Sequence, residues 1–398
     1  MLTDRDIVFF GDDWGRYPST VQYIGRQLAA QNRMIWVGSL GLRRPQFHLR
    51  DIKRVAEKVG HVLRPASGRQ SDPTVTVLSP PVIPYHDVEM IRRRNMRVVT
   101  RAVQIAMRRL EFRHPVILTS SPIVADVLSA FPESVRGYLC LDDFTKFEGA
   151  FRALAAEEQR MLTQTDVCFA VSESLAATRV PPSGRVYRLP QGVDVHHFAP
   201  SADPIPAAIR TVRRPIIGFF GILAPWIDYD LLTRVATAYP DATVVLLGRT
   251  STDISRLSAI RNIVHLGEIP YAQLPAYARA FDVGLIPFAV NELTVAANPL
   301  KLLEYLALGL PVVSTALPEV ARFGSAVSVA RSPEEFVAQV GRALTERDPA
   351  AAQLRRQIAE RHSWRRITDD LSDRIIEIER DRGRTSAGAG APKGRSLG

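Results

Sequence analysis

Short runs of consecutive apolar residues alternate along the chain with longer segments whose apolar positions recur every three to four residues. That alternation is expected of strands buried on both faces and joined by amphipathic helices. In the first half, Ile7–Phe10, Met34–Val37, Thr74–Leu78, Val116–Leu118, Gly137–Leu141, Val167–Val171 and Val186–Leu189 read as strands, with Ser19–Ala30 and Ile123–Ala130 among the helices between them. Ser201–Arg214 breaks the rhythm with prolines and few large apolar groups. A second set then begins. Its strands are Ile216–Phe220, Thr243–Leu247, Ile263–His265, Val283–Ile286, Val312–Ser314 and Ala326–Val329, and its helices Asp230–Ala238, Tyr271–Ala280, Pro299–Leu308 and Pro333–Glu346. Arg355–Arg380 reads as one or two closing helices, and Gly383–Gly398 carries no periodicity and is expected to be disordered. The pattern predicts an α/β fold of two Rossmann-like domains with parallel sheets: residues 1–200, a linker at 201–214, a second domain at 215–365, a closing helix at 366–382 and a tail at 383–398. Two such sheets with their strand carboxyl ends facing one another form a cleft, where ligands of doubly wound sheets are expected to bind.

Length and composition agree with this picture. A chain of 398 residues with 46% apolar and 23% charged residues suits two globular domains. No apolar run approaches the length of a membrane span, and the start MLTDRDIVFFGDDW lacks the regions of a signal peptide, so a cytoplasmic chain is expected. Cys140 and Cys168 fall in strand-like runs and read as reduced core residues. The net charge of +10 points to phosphate-bearing partners: nucleic acid, an anionic membrane or a small molecule.

Particular residues narrow the choice. In ANPLKLLEYLALGLPVVST (Ala297–Thr315), Asn298 is placed to cap a helix whose first position is Pro299. The backbone N–H groups of Leu300 and Lys301 would then face a diphosphate at the positive helix end, with the Lys301 ammonium adding charge. Glu304, one turn on, is placed to accept hydrogen bonds from two ribose hydroxyls. The alternative is an ordinary capped helix with solvated charges. In YLCLDDFTKFEG (Tyr138–Gly149), Asp142 and Asp143 follow an apolar strand, where a carboxylate can take the proton of an attacking hydroxyl or merely cap the next turn. A helix from Val88 to Phe112 carries Arg93, Arg97, Arg101 and Arg108 at steps of about one turn, broken by Gln104. Arg92, Arg94, Arg109 and Arg113 widen the stripe, and Ile91, Val99, Val103, Ala106 and Leu110 lie opposite. Such a face suits an anionic membrane or a diphosphate lipid. Nucleic acid fits less well, because aromatic residues are not interleaved with the arginines. Asp228-Tyr229-Asp230 spells D-x-D but opens a helix, so capping is the better reading. His196 and His197 lack further ligands at metal spacing, and no metal site is expected. The absence of G-x-G-x-x-G after either first strand argues against a dinucleotide oxidoreductase.

These stretches, taken in order, resemble glycosyltransferases of the two-domain B fold, close to family four (group 1) and its exopolysaccharide- and teichuronic-acid-type relatives. Ala297–Thr315 resembles their donor-site signature, and LPQGVDVHHF (Leu189–Phe198) the element before the linker. IIGFFGIL (Ile216–Leu223) resembles the first donor-domain strand, with Gly221 in the turn toward the phosphates. VVLLGR (Val244–Arg249), VHLGEIPYAQLPAY (Val264–Tyr277) and FDVGLIPF (Phe281–Phe288) continue the domain, and RHSWRRI (Arg361–Ile367) begins the closing helices. The resemblance implies C-terminal helices that cross back, a nucleotide-diphosphate sugar as co-substrate, no cofactor and no metal. It also implies transfer of the sugar to a hydroxyl of a glycan or lipid-linked acceptor in cell-surface polysaccharide or glycolipid synthesis. It brings the loop GDDWGRYPST (Gly11–Thr20) toward the donor, with Gly11 and Gly15 allowing close approach and Arg16 assisting. Trp14 is there either to stack on a sugar or to pack. Asp143 matches a strand-end base of a xanthan-type glucuronosyltransferase, with Asp142 next to it. The chain departs from the family at Ala296, where a second glutamate is usual, and at Ala224–Asp228, where an arginine–lysine pair is usual. Lys301 and Arg249 would then supply the phosphate cations, and the stereochemistry stays open. Two other functions remain: a sugar-nucleotide epimerase, or a degenerate transferase that binds a glycan or a partner. The expected location is cytoplasmic, with peripheral contact to the inner membrane face through the arginine stripe.

Overall fold

The computed structural model describes residues 1–16, 18–41, 74–147 and 149–389. The chain divides into two units. The first comprises Met1–Ala170, Leu175–Leu189 and the chain from Ile367 onward; the second comprises Val171–Ser174 and Pro190–Arg366. The second unit thus begins eleven residues before the proline-rich stretch at 201–214.

The first unit is built on a seven-stranded sheet: β1 (Asp6–Phe10), β2 (Arg33–Val37), β3 (Val75–Leu78), β4 (Val116–Thr119), β5 (Arg136–Cys140), β6 (Val167–Ala170) and β7 (Val186–Arg188). Their order is β3-β2-β1-β4-β5-β6-β7, and every pairing is parallel. Continuous apolar strands of this kind need cover on both faces. The helix Thr20–Ala29, capped by Ser19, buries Val21, Ile24 and Leu28. The helix Glu89–Arg109 buries Met96, Val99, Val103 and Ala106. Cys140 and Cys168 are free and fully buried within β5 and β6, and burial pushes the Cys168 thiol up to about 12.

The second unit holds a six-stranded parallel sheet: β8 (Ile216–Phe220), β9 (Thr243–Leu247), β10 (Ile263–His265), β11 (Val283–Ile286), β12 (Val312–Thr315) and β13 (Ser328–Ala330), in the order β10-β9-β8-β11-β12-β13. Val283, Leu285, Val312 and Val313 form its buried centre with Leu302, Tyr305 and Leu306 from the helix Leu300–Ala307. Two expected elements differ. The 271–280 helix splits into a short tight turn, Tyr271–Gln273, and a helix Leu274–Ala278. The last strand starts at Ser328, because Gly324–Ala326 winds into a single tight turn.

The closing segment consists of two helices, Pro349–Arg361 and Trp364–Ala389. The second passes into the first unit at Ile367. It continues well beyond Arg382, so the expected tail is helical through Ala389; residues 390–398 lie outside the described part. Among the described residues no helix is long and apolar enough to cross a membrane.

Candidate donor site and strand-end carboxylates

Lys301 and Glu304 project from the helix Leu300–Ala307, three residues apart and hence on one face. The Lys301 ammonium lies 4.5 Å from the ring centre of Phe288 and 5.4 Å from that of Phe219. Both distances are within the range in which an aromatic face attracts a cation. Burial nevertheless lowers the Lys301 pKa to about 8, with Glu304 opposing the shift. Glu304 is 5% exposed, and burial raises its pKa to about 7 against the pull of Lys301 and of a hydrogen bond from the Tyr271 hydroxyl at 3.3 Å. Each charge is therefore held in apolar surroundings with less compensation than water would give it. An anion beside Lys301 and hydroxyl donors beside Glu304 would supply what is missing.

Gly221 directly follows β8, beside this lysine. Its φ of +136° favours glycine, and a side chain there would begin 3.1 Å from the Lys301 Cε. The next turn packs against it backbone to backbone, since any Cβ on Gly248 would overlap the Gly221 carbonyl oxygen. Arg249 follows as an exposed residue whose carbonyl accepts from Leu223 N–H at 2.9 Å. The carboxyl ends of β8 and β9 and the start of the Leu300–Ala307 helix thus bring Gly221, Arg249 and Lys301 into one region of the second unit.

Asn298 does not cap the helix. Pro299 occupies the cap position, without any side-chain cap, and the Asn298 amide donates instead to the Val171 carbonyl at 3.2 Å. The buried amide thereby ties the segment preceding the helix to Val171–Ser174, far away in sequence, which a local capping pattern cannot reveal. Tyr271 has no role in the sequence reading, and His197 is weighed there only as a metal ligand and set aside. His197 stacks on Tyr271 at 4.5 Å between ring centres, and its Nε2 hydrogen-bonds the Tyr271 carbonyl at 2.9 Å. The two rings fix the hydroxyl that reaches Glu304. Both residues lie in stretches that matched the family, and an aromatic in each was the available signal. Asp228 caps the helix Tyr229–Ala238 through Leu231 N–H, and Asp230 pairs with Arg256 at 3.0 Å. Ala296 is buried at the end of the short helix Glu292–Val295. The LPQGVDVHHF and RHSW stretches meet: Val193 N–H donates to the His362 carbonyl at 2.9 Å, and Trp364 lies where any side chain on Gly192 would stand.

In the first unit, Asp142 and Asp143 follow β5. Asp143 caps a tight turn, accepting from the Thr145 N–H at 3.2 Å and from the Thr145 hydroxyl, and it pairs with Arg179 at 2.9 Å. Burial pulls its pKa up, but Thr145 and Arg179 together hold it below the ordinary 3.8. Arg179 also meets Glu158 at 3.4 Å, and Glu158 accepts from the Tyr138 hydroxyl at 2.7 Å. Asp143 is thus ionised at neutral pH and a weak proton acceptor.

The loop after β1 is wired by Gln22, a buried residue that the sequence reading did not single out. Its amide donates to the Asp12 carboxylate at 2.7 Å and the Asp13 carbonyl at 2.8 Å, and its oxygen accepts from Gly15 N–H at 2.9 Å. Gly11 lacks a side chain because Trp36 stands where one would be, 2.4 Å from an ideal Cβ. Gly15 is required instead by its φ of +74°. Trp14 packs on Trp36 with ring centres 4.6 Å apart, and Arg16 pairs with Asp13 at 3.0 Å. Asp12 accepts from the Ser19 hydroxyl at 2.6 Å, and burial outweighs these hydrogen bonds to raise its pKa. The ends of β1 and β5 are two strand spacings apart, roughly 10 Å, with β4 between them. One edge of the sheet therefore carries two carboxylates with oppositely shifted affinities for a proton.

Comparison with known proteins accords with this anatomy. Residues 214–346 match the family model described as Glycosyl transferases group 1. TuaH of Bacillus subtilis (strain 168), named as a candidate teichuronic acid biosynthesis glycosyltransferase, is 28% identical over 190 residues, covering 45% of this chain and 48% of TuaH. A GDP-mannose-dependent alpha-mannosyltransferase of Mycolicibacterium smegmatis is 31% identical over 171 residues, 42% of this chain and 43% of the relative. The matched region spans about half the length of these curated relatives or less. Among solved structures, Anabaena Alr3699/HepE in complex with UDP and glucose superposes with a TM-score of 0.65 over 94% of this chain and 100% of that one, at 13% identity. Residues 214–346 are therefore similar to the group 1 glycosyl transferases, and the fold is that of the B-type glycosyltransferase structures.

Proposed function

We propose that this chain transfers a sugar from a nucleotide-diphosphate sugar to a hydroxyl of a glycan or lipid-linked acceptor, in cell-surface polysaccharide or glycolipid synthesis, without a metal ion or cofactor. One observation carries the reading. The half-buried Lys301 and the buried Glu304 share one face of a helix, each with its charge disfavoured by its surroundings, in the region that matches the group 1 model. A bound diphosphate beside Lys301 restores the full charge of the ammonium. As the bond from the anomeric carbon to the diphosphate oxygen breaks, charge grows on the leaving group, and Lys301 stabilises it most at that point. Glu304 holds the ribose hydroxyls, and Gly221 and Arg249 border the phosphates. The relatives named for mannosyl transfer and teichuronic acid synthesis support the substrate class.

The acceptor hydroxyl gives its proton to Asp143 if the reaction inverts the anomeric centre. Asp12 is the second candidate, because its raised pKa makes it the better proton acceptor of the two. The test is a thermal-shift screen against UDP-, GDP- and ADP-sugars, followed by donor-hydrolysis and transfer assays with and without EDTA. Stabilisation by one donor class, abolished in Glu304→Ala, and EDTA-resistant turnover are expected. Absence of stabilisation by any nucleotide sugar would remove the proposal. Conversion of the donor without acceptor would replace it with an epimerase. Donor binding without turnover would leave a binding protein, the outcome to which Ala296 points.

A further inference from the structure

The helix Glu89–Arg109 presents a face that the donor chemistry does not use. Arg92 is not part of it. It turns inward, pairs with Glu157 at 3.1 Å and donates to the His86 carbonyl at 2.7 Å, so the stripe is narrower than the count of arginines implies. What remains outside is an exposed row. Arg93 pairs with Glu89 along the helix, whereas Arg97, Arg101 and Arg108 have no ionic partner among the described residues. Together with Arg160 they line a groove of about 590 Å³, in which Asp126, paired to Arg160, is the lining carboxylate. Arg97 and Arg101 stand one turn apart, where like charges repel, and Arg108 follows two turns on.

The apolar end of the same face gives a second, independent observation. Ile83, Tyr85, Val88 and Met90 are exposed, Met90 to 81%. Met90 precedes Arg97, Arg101 and Arg108 by 7, 11 and 18 residues, close to two, three and five full turns, and therefore shares their stripe. The backbone leading into the helix is tied to the helix's buried side. The buried Asn95 side chain makes two hydrogen bonds to the Ile83 backbone, at 3.0 and 2.7 Å, while Arg92 fixes the His86 carbonyl. An exposed Met90 on the same stripe as arginines with no ionic partner among the described residues, next to the exposed Tyr85 and Val88, matches the interface of an anionic bilayer, with its acyl boundary beside a layer of phosphates.

We propose that this face docks on an anionic lipid surface, with Arg97, Arg101 and Arg108 on headgroup phosphates and Met90, Tyr85 and Val88 entering the acyl boundary. The proposal does not depend on the transferase reading, since no donor or acceptor takes part. Flotation with vesicles of phosphatidylcholine alone, and with 30% phosphatidylglycerol, tests it on the full chain. Binding to the anionic vesicles only is expected, weakening at high salt as the charges are screened. R97E/R101E/R108E is expected to weaken binding by more than about 100-fold, because each basic residue near such a surface contributes about 1 kcal/mol and reversal adds repulsion. Met90→Asp should weaken it by about tenfold through lost apolar contact. The milder R97Q/R101Q/R108Q serves if charge reversal disturbs folding. R210E/R261E/R342E changes net charge equally on exposed positions of the second unit and should bind as the wild type does. Failure of the wild type to bind anionic vesicles would overturn the proposal. So would an equal loss in the second-unit triple variant, or binding to soluble polyphosphate without vesicle binding.

Discussion

The charged groups at the ends of the two sheets solve the same problem in opposite ways. In the first unit, Asp143 and Glu158 share Arg179, so each carboxylate finds a cation within the protein and Asp143 is held ionised. In the second unit, Lys301 and Glu304 sit among Phe219, Phe288 and Tyr271, and neither is fully compensated. In the first arrangement both carboxylates have a cationic partner from the protein itself. The second leaves a cation short of an anion and a carboxylate short of donors, which is how a binding site differs from a structural ion pair.

The largest expected effect tests that difference directly. Lys301→Ala should lower kcat/KM for sugar transfer by about 10³-fold, the scale of losing one preorganised stabiliser of transition-state charge. Steady-state assays with saturating acceptor measure it, and a change below tenfold would assign the lysine to structure. Next come the two carboxylates of the first sheet. Loss of the general base typically costs 10²- to 10⁴-fold, so one of Asp143→Asn and Asp12→Asn should fall by about 10³ and the other far less. Equal and small effects in both would remove a protein base from the mechanism.

Arg179→Met sharpens the structural side. It leaves the buried Glu158 carboxylate without its cation and should destabilise the fold by about 3 kcal/mol, read by denaturant unfolding. Because Asp143 sits below its ordinary 3.8, it contributes stability at neutral pH that is lost as pH falls below that value. The Arg179→Met protein should show a smaller acid-dependent component, since the Thr145 hydrogen bonds remain.

The last expected effect is the pH dependence of the second pair. Glu304 rises from 4.5 to about 7, so the folded protein holds that proton more tightly and stability declines as pH rises across this range. Lys301 falls from 10.5 to about 8, so stability recovers as pH rises from about 8 upward. The thermal midpoint of the donor-free protein should therefore dip between about 7 and 8, where both groups are charged. Stabilisation by donor should be greatest in the same window, and Glu304→Gln should flatten its acid side. Thermal shifts across pH, with and without donor, would show whether dip and gain coincide.

Much of this was legible along the chain. Strands of parallel sheets are buried on both faces and therefore written as continuous apolar runs, which is why β8, β9, β10 and β11 fall where the pattern predicts. Helical spacing likewise put Lys301 and Glu304 on one face, a matter of local periodicity. The capping role of Asp228 was readable for the same reason.

What folding alone decided were the partners distant in sequence. Asn298 reaches Val171, 127 positions away, rather than capping its own helix. Arg179 converts Asp143 from a free strand-end carboxylate into half of an ion pair, and Arg92 leaves its stripe for Glu157. Gly11 is explained by Trp36 rather than by a ligand. Sequence spacing determines which residues share an element and a face. Whether a charge is compensated depends on the dielectric and the partners that packing brings to it, and these come from other elements of the fold.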